Sequence, residues 1–230
     1  MTSEKSWPVG FRINPRIEGP SADWLERFQN IPTSWVSDSM GRSVGTMGLN
    51  AYHNRVDQIV AAPAITVRVR PGDNLMLHKA MEIAQRGDFI VVDGGGDLSQ
   101  ALIGGNMQTT AIYKGLAGFV IDGAIRDLAD WANGKMPIWA RGYTHRGPSK
   151  DGPGEINVPV SVGGLVVNPG DLVIADCDGV LAVSPSSFEE LWPQIELQKQ
   201  KEAKLRSANA VEIPDPERFN AILRAKGCPV

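Results

Sequence analysis

The 230-residue sequence predicts an α/β domain whose sheet mixes parallel and antiparallel strands. Three observations carry that expectation. Two short apolar runs, DFIVVD at 88–93 and GFVID at 118–122, have the length and β-branched content of strands buried on both faces. A helical stretch over 106–114, with Gly105 before it and Gly115 after it, lies between them. Strand, helix, strand at this spacing is a βαβ unit with parallel strands. Beyond residue 155 the rhythm changes to short β-rich segments at 157–162, 165–167, 172–175 and 180–183. Gly163-Gly164, Asn168-Pro169-Gly170 and Cys177-Asp178-Gly179 separate them as turns.

The remaining elements follow from caps and periodicity. The first ten residues are polar. Ser21 is placed to cap a helix over 22–29, and Thr33 to cap a second one through Met40, which Gly41 ends. Ile65, Val67 and Val69 alternate with Thr66, Arg68 and Arg70, the pattern of a strand with one buried face. Pro71-Gly72-Asp73 turns the chain into a helix over 74–85, closed by Gly87. A long last helix is expected over 187–208, with a Pro-punctuated tail behind it. On that helix Phe188, Leu191, Trp192 and Ile195 form an apolar stripe, and Glu202 continues it. No stretch reads as a linker, so one domain is expected over 1–230.

Composition removes several function classes. Hydrophobic residues make up 42% and charged residues 21%, enough for a full core without staples. Cys177 and Cys228 show no CxxC spacing and are too few for a disulfide scaffold. The net charge of −3, without a long basic run, argues against nucleic acid as a partner. No 18-residue apolar run exists, and residues 1–10 lack the apolar segment of a secretory signal. A soluble, cytoplasmic protein with no membrane partner is expected.

Three glycine-rich places fall at strand ends, where α/β proteins build their sites. Asp93-Gly94-Gly95-Gly96-Asp97 lacks GxGxxG spacing and reads as a tight loop rather than a nucleotide or methyl-donor site. Gly104-Gly105-Asn106-Met107 opens a helix, and its backbone N–H groups suit a carboxylate or phosphate. Asp122-Gly123-Ala124-Ile125-Arg126-Asp127 sets an arginine beside an aspartate directly after the strand GFVID. Arginine's planar fork grips a carboxylate through two hydrogen bonds, and aspartate supplies a hard oxygen for Mg2+.

The stretch GDFIVVDGGGDLSQALIGGNMQTTAIYKGLAGFVIDGAIRDLADW at 87–131 resembles the RraA-like family, as does NVPVSVGGLVVNPGDLVIADCDGVLAV at 157–183. The resemblance covers about 32–205 and implies a layered α/β/β domain of the swivelling type. That family includes metal-dependent 4-hydroxy-4-methyl-2-oxoglutarate / 4-carboxy-4-hydroxy-2-oxoadipate aldolases. It also includes a regulator that binds and inhibits a ribonuclease, and members once labelled menaquinone methyltransferases. The resemblance implies that the amides of Gly104, Gly105, Asn106 and Met107 hold a pyruvate-like group. Arg126 would bind the same group and stabilise its enolate, and Asp127 would ligate Mg2+ or Mn2+. Glu202 would be an outer-shell group reaching a neighbouring subunit's metal. The aldolases carry an acid at the second loop position for proton transfer; here that position is Gly105. Weak activity on the family's substrates is therefore expected, with Gly105→Asp raising it.

The activity expected is a metal-dependent lyase on 2-oxo acids. It would release pyruvate by aldol cleavage of a 4-hydroxy-2-oxo acid, decarboxylate oxaloacetate, or both. The alternative is a protein-binding inhibitor of an RNA-processing enzyme with a vestigial metal site, and a methyltransferase is a distant third. A homotrimer or hexamer is expected, with the site at the subunit boundary, because one chain supplies no evident lid. His78 is expected to be structural, and His53 and His145 share no metal-ligand spacing. Cys177, flanked by Asp176 and Asp178, is a poor nucleophile. The polar, basic segment 141–150 reads as a solvated loop, with Lys150 an unsuitable Schiff-base former.

Overall fold

The computed structural model describes residues 7–54, 57–211, 215 and 217–230. Strand β1 (Phe11–Ile13) precedes helices α1 (Ala22–Phe28) and α2 (Thr33–Ser39), then β2 (Asn50–Ala51) and the long β3 (Val60–Val69). Helix α3 (Leu75–Ile83) leads to β4 (Phe89–Asp93), β5 (Ala101–Ile103), α4 (Gly105–Lys114) and β6 (Gly118–Ile125). Helix α5 (Leu128–Asn133) and β7 (Ile138–Tyr143) follow. Five short strands come next: β8 (Gly154–Ile156), β9 (Val160–Val162), β10 (Leu165–Val167), β11 (Leu172–Asp176) and β12 (Gly179–Val183). Helices α6 (Phe188–Asn209) and α7 (Glu217–Ala225) end the chain.

The main sheet runs β1-β8-β3-β4-β6-β7-β2, with β5 added to β6, and β11 joining β3 to β12. Strands β3, β4, β6 and β7 are parallel neighbours, and β11 and β12 are antiparallel. The expected βαβ unit is present, with β4 and β6 paired in parallel. Leu77 and Met81 of α3, Met107 and Ala111 of α4, and Trp131 of α5 cover one face of the sheet. The hairpin β9–β10, with β11 and β12, covers the other, meeting Val91, Val120 and Trp139. Phe28, Val36, Phe188, Leu191 and Ile195 close the outer side of β11–β12. Helices, sheet and a second β layer make the α/β/β arrangement of the swivelling type.

Several elements depart from expectation for identifiable reasons. Strand β3 begins at Val60 and is buried on both faces except at Pro63 and Arg68. The polar Thr66 lies inward, its hydroxyl donating to Val158 O at 2.6 Å. Strand β6 runs on through Gly123-Ala124-Ile125 because β5 and β7 pair with its end. Asp122 therefore lies within the strand, and only Arg126 and Asp127 follow it. Pro32, not Thr33, is the N-cap of α2; Thr33 donates its N–H and hydroxyl to Asp176 at 2.8 and 2.7 Å. The segment 157–162 is broken at Asn157, which has a positive φ of 56°. The tail carries α7, and the structure adds β1, β2, β5, β7, β8 and α5 to the expected elements.

One carboxylate ties α3 to the loop that faces it. Asp73, 1% exposed, accepts from Ser149 Oγ at 2.7 Å, Asp151 N at 2.7 Å and Leu75 N at 3.0 Å. Burial pushes its pKa up, but these hydrogen bonds outweigh burial and hold it below the usual carboxylate value. A depressed carboxylate contributes stability above its unfolded pKa and loses it as pH falls through the folded value. Asp73→Ala is expected to cost about 2 kcal/mol at pH 7 in urea unfolding. That cost should shrink as the pH is lowered below about 4.

Candidate active site

Parallel strands β5 and β6 end side by side, with Arg126 N donating to Ile103 O at 3.0 Å. This brings Gly104-Gly105, where α4 begins, against Arg126-Asp127, where β6 ends. Asp127 adopts the left-handed conformation (φ 59°, ψ 48°), a costly choice for a residue other than glycine. It stands at the N-cap of α5 without capping that helix. Its carboxylate reaches across instead and accepts the Gly105 N–H at 2.9 Å. A negative charge at the start of α4 is favoured by the helix dipole. Trp131, fully buried, donates its indole N–H to Arg126 O at 2.9 Å and fixes the backbone between the two residues.

The glycines are required by what approaches them. A Cβ at Gly104 would overlap Asp127 Oδ2 and come within 2.9 Å of Arg126 Cγ. A Cβ at Gly105 would overlap Asp130 Oδ2, so the Asp130 carboxylate fills the space of the missing side chain. Of the loop amides, Gly105 N–H is taken by Asp127, and Met107 N–H by Gly104 O at 3.0 Å. Arg126 Nε lies 3.7 Å from Asp127 Oδ2, and the two side chains are 41% and 44% exposed. Both are open to a ligand.

Beside them is a cleft of about 240 Å³ lined by Asn74, His78, Gly104, Met107, Arg126 and Lys150, among others. Its size suits a short organic acid. Burial, and then the positive charge of Lys150, hold the His78 pKa below its ordinary value, so the ring is neutral near pH 7. Among the described residues Lys150 makes no ion pair.

The structure thus brings together Gly104, Gly105, Asn106, Met107, Arg126 and Asp127. Glu202 lies apart from the cleft lining of its own chain, 3.7 Å from Arg206 Nε and 3.5 Å from Gln198 Nε2. Asn74 carries no functional signal in the sequence and Asp130 little, whereas His78 and Lys150, expected to be structural and solvated, line the cleft. The one available signal for Asp130 is its place three residues beyond Asp127. The loop at 94–96 is a tight turn, with Gly95 and Gly96 at φ 67° and 71°. Asp122 serves the fold, held by Arg141 Nε at 2.5 Å and Gly163 N at 2.7 Å. Burial, Asp178 and Asp176 raise the Cys177 pKa, as its neighbours imply.

A glycine-opened helix, an aspartate in the left-handed conformation and an arginine thus meet at adjoining strand ends of a mixed α/β protein. The RraA-like family model (Aldolase/RraA) matches residues 33–182, and the chain belongs to that family. A Thermus thermophilus protein named 4-hydroxy-4-methyl-2-oxoglutarate aldolase is 40% identical over 109 residues, 47% of this chain and 66% of that protein. A Halalkalibacterium halodurans protein provisionally named for the same activity is 41% identical over 184 residues, covering 80% of this chain and 87% of the other. Among solved structures, Streptomyces coelicolor RraAS2, described as an unusual member of the RNase ES inhibitor RraA protein family, superposes with a TM-score of 0.74. It is 28% identical and covers 83% of this chain and 98% of its own.

The His78–Lys150 pairing is open to direct titration. In Lys150→Met the His78 pKa should rise toward its ordinary value, because a repelling positive charge is gone. Imidazole carbon-proton NMR spectra recorded across pH would show it; an unmoved His78 would contradict the pairing.

Proposed function

We propose that this chain is a divalent-metal-dependent lyase on 2-oxo acids. It would cleave a 4-hydroxy-2-oxo acid to pyruvate, decarboxylate oxaloacetate, or both, through a pyruvate enolate. The observation that carries this is the convergence of Arg126 and Asp127 on the start of α4 beside a small cleft. The aldolase names of the relatives support it at the level of the family.

The donor set fits Mg2+ or Mn2+. Asp127 and Asp130 present hard carboxylate oxygens around Gly104-Gly105, and among the described residues no group of three or more His, Cys, Asp or Glu converges. Mg2+ takes one or two carboxylates and keeps its waters, whereas a closed zinc site needs more protein ligands. Asp127 would hold the ion, with Glu202 from a second copy of the chain as an outer-shell group. When bound, the ion polarises the 2-keto oxygen and serves as electron sink.

The chain's own groups do the rest. Arg126 grips the substrate carboxylate and places positive charge where the enolate oxygen becomes negative. The start of α4 faces the same anion with its dipole and with the N–H groups that Asp127 and Gly104 O leave open. Asp130, lying over Gly105, supplies from α5 the carboxylate that the loop lacks and serves proton transfer there. A homotrimer or hexamer would close the exposed side of the cleft against water. The second reading, a binding inhibitor of an RNA-processing enzyme, is favoured by the likeness to Streptomyces coelicolor RraAS2 and the inhibitor family it is assigned to. The strained, exposed Asp127 beside Arg126 argues for chemistry instead.

Pyruvate release from 4-hydroxy-2-oxo acids and from oxaloacetate tests the proposal. Activity should require Mg2+ or Mn2+, and Arg126→Ala and Asp127→Asn should each lower kcat/KM by about 100-fold or more. Full activity in EDTA contradicts the mechanism. A flat result, with capture of an RNA-processing enzyme, favours the inhibitor. The position of Asp130 also changes what Gly105→Asp should do. Alone it must displace Asp130 and set two carboxylates together, so no gain is expected; combined with Asp130→Ala it should restore activity that Asp130→Ala alone loses.

A further inference from the structure

Asn74 is a buried side chain whose hydrogen bonding is half complete. It is 3% exposed and lines the cleft. Its Nδ2 donates to Leu102 O at 2.8 Å and lies 3.6 Å from Met107 Sδ. Its Oδ1 is shut away from solvent with no donor in reach. Exchanging the two amide atoms would not help, since oxygen would then face the Leu102 carbonyl. Buried acceptors without partners are rare and point to a group that arrives later. What is missing is a donor. The rest of the cleft offers cations, Arg126 and Lys150, which attract carboxylates, and carboxylates have no hydrogen to give.

We infer that Asn74 is a specificity-determining residue whose Oδ1 accepts a hydrogen bond from a hydroxyl on the carbon chain of the bound acid. This rests on the cleft being the 2-oxo acid site proposed above. Reaching Oδ1 requires a shift of a neighbouring side chain, and the unbranched, flexible Met107, whose Sδ lies 3.6 Å from the same amide's Nδ2, is placed to give it. A site built around an acceptor discriminates against the analogue that lacks the donor, because the acceptor then stays unpaired. Hydroxylated 2-oxo acids are accordingly preferred to their deoxy counterparts. The contact belongs to the bound substrate and requires no proton transfer by Asn74.

The test compares 4-hydroxy-2-oxoglutarate with 2-oxoglutarate, which differ by that one hydroxyl. Equilibrium affinities are measured calorimetrically in EDTA, where metal-dependent cleavage is stopped. The unsubstituted protein should bind the hydroxy acid roughly five- to tenfold more tightly. Asn74→Leu should bring the ratio to one while leaving 2-oxoglutarate affinity nearly unchanged. Lys150→Met should weaken both acids alike and preserve the ratio. Equal affinities in the unsubstituted protein overturn the role of Asn74 alone, whether or not Asn74→Leu folds. A preference that survives in folded Asn74→Leu overturns it too. If neither acid binds in EDTA, the role of Asn74 falls; if 2-oxoglutarate, which is not cleaved, also fails to bind with Mg2+ present, the cleft is not a 2-oxo acid site and the proposed function falls as well.

Discussion

The site depends on one hydrogen bond, from the Gly105 N–H to the Asp127 carboxylate, made by a residue held in a left-handed backbone. Left to local preference, an aspartate at the N-cap of α5 would fold back and cap its own helix. Turning the backbone to φ 59° sends the carboxylate across to α4 instead. The negative charge then sits where the dipole of α4 favours it. Trp131, buried and bonded to Arg126 O, holds the turn in place. Strain at Asp127 is thus balanced by contacts on both sides, and its carboxylate remains 44% exposed.

The sheet makes that contact geometrically possible. Strand β6 is buried along all eight residues and pairs with β4, β5 and β7. Its fixed end sets where Arg126 and Asp127 emerge, and the end of β5 sets where α4 starts. Asp73 performs the corresponding task on the opposite wall, clamping Ser149 and Asp151 to the start of α3. Lys150 lies between the two clamped residues, and Asn74 follows Asp73 directly, so the clamp places both at the cleft.

The parts of this whose cause is local are legible in the sequence. DFIVVD and GFVID are legible because strands buried on two faces must be apolar throughout. Arg126-Asp127 and the 104–107 loop are legible because they adjoin strand and helix ends. The alternation in β3 predicts one solvent-facing side through Thr66 and Arg70, whereas the buried Thr66 hydroxyl donates to the Val158 carbonyl. Strands β1 and β5, three residues each, carry too little pattern to register without the strong turn residues that flank the equally short β9 and β10. Asp130 is meaningful only once α5 is docked over Gly105, and Asn74 only once Leu102 is seen to satisfy half its amide. Those are products of tertiary apposition, which spacing along the chain does not encode.

The proposed divalent ion would be held by Asp127, positioned by its backbone and by Gly105. Titrating Mn2+ into the protein and following free Mn2+ by electron paramagnetic resonance tests it without reference to turnover. One site per chain is expected, lost in Asp127→Asn and retained in Cys177→Ser. Undiminished Mn2+ binding by folded Asp127→Asn would contradict it.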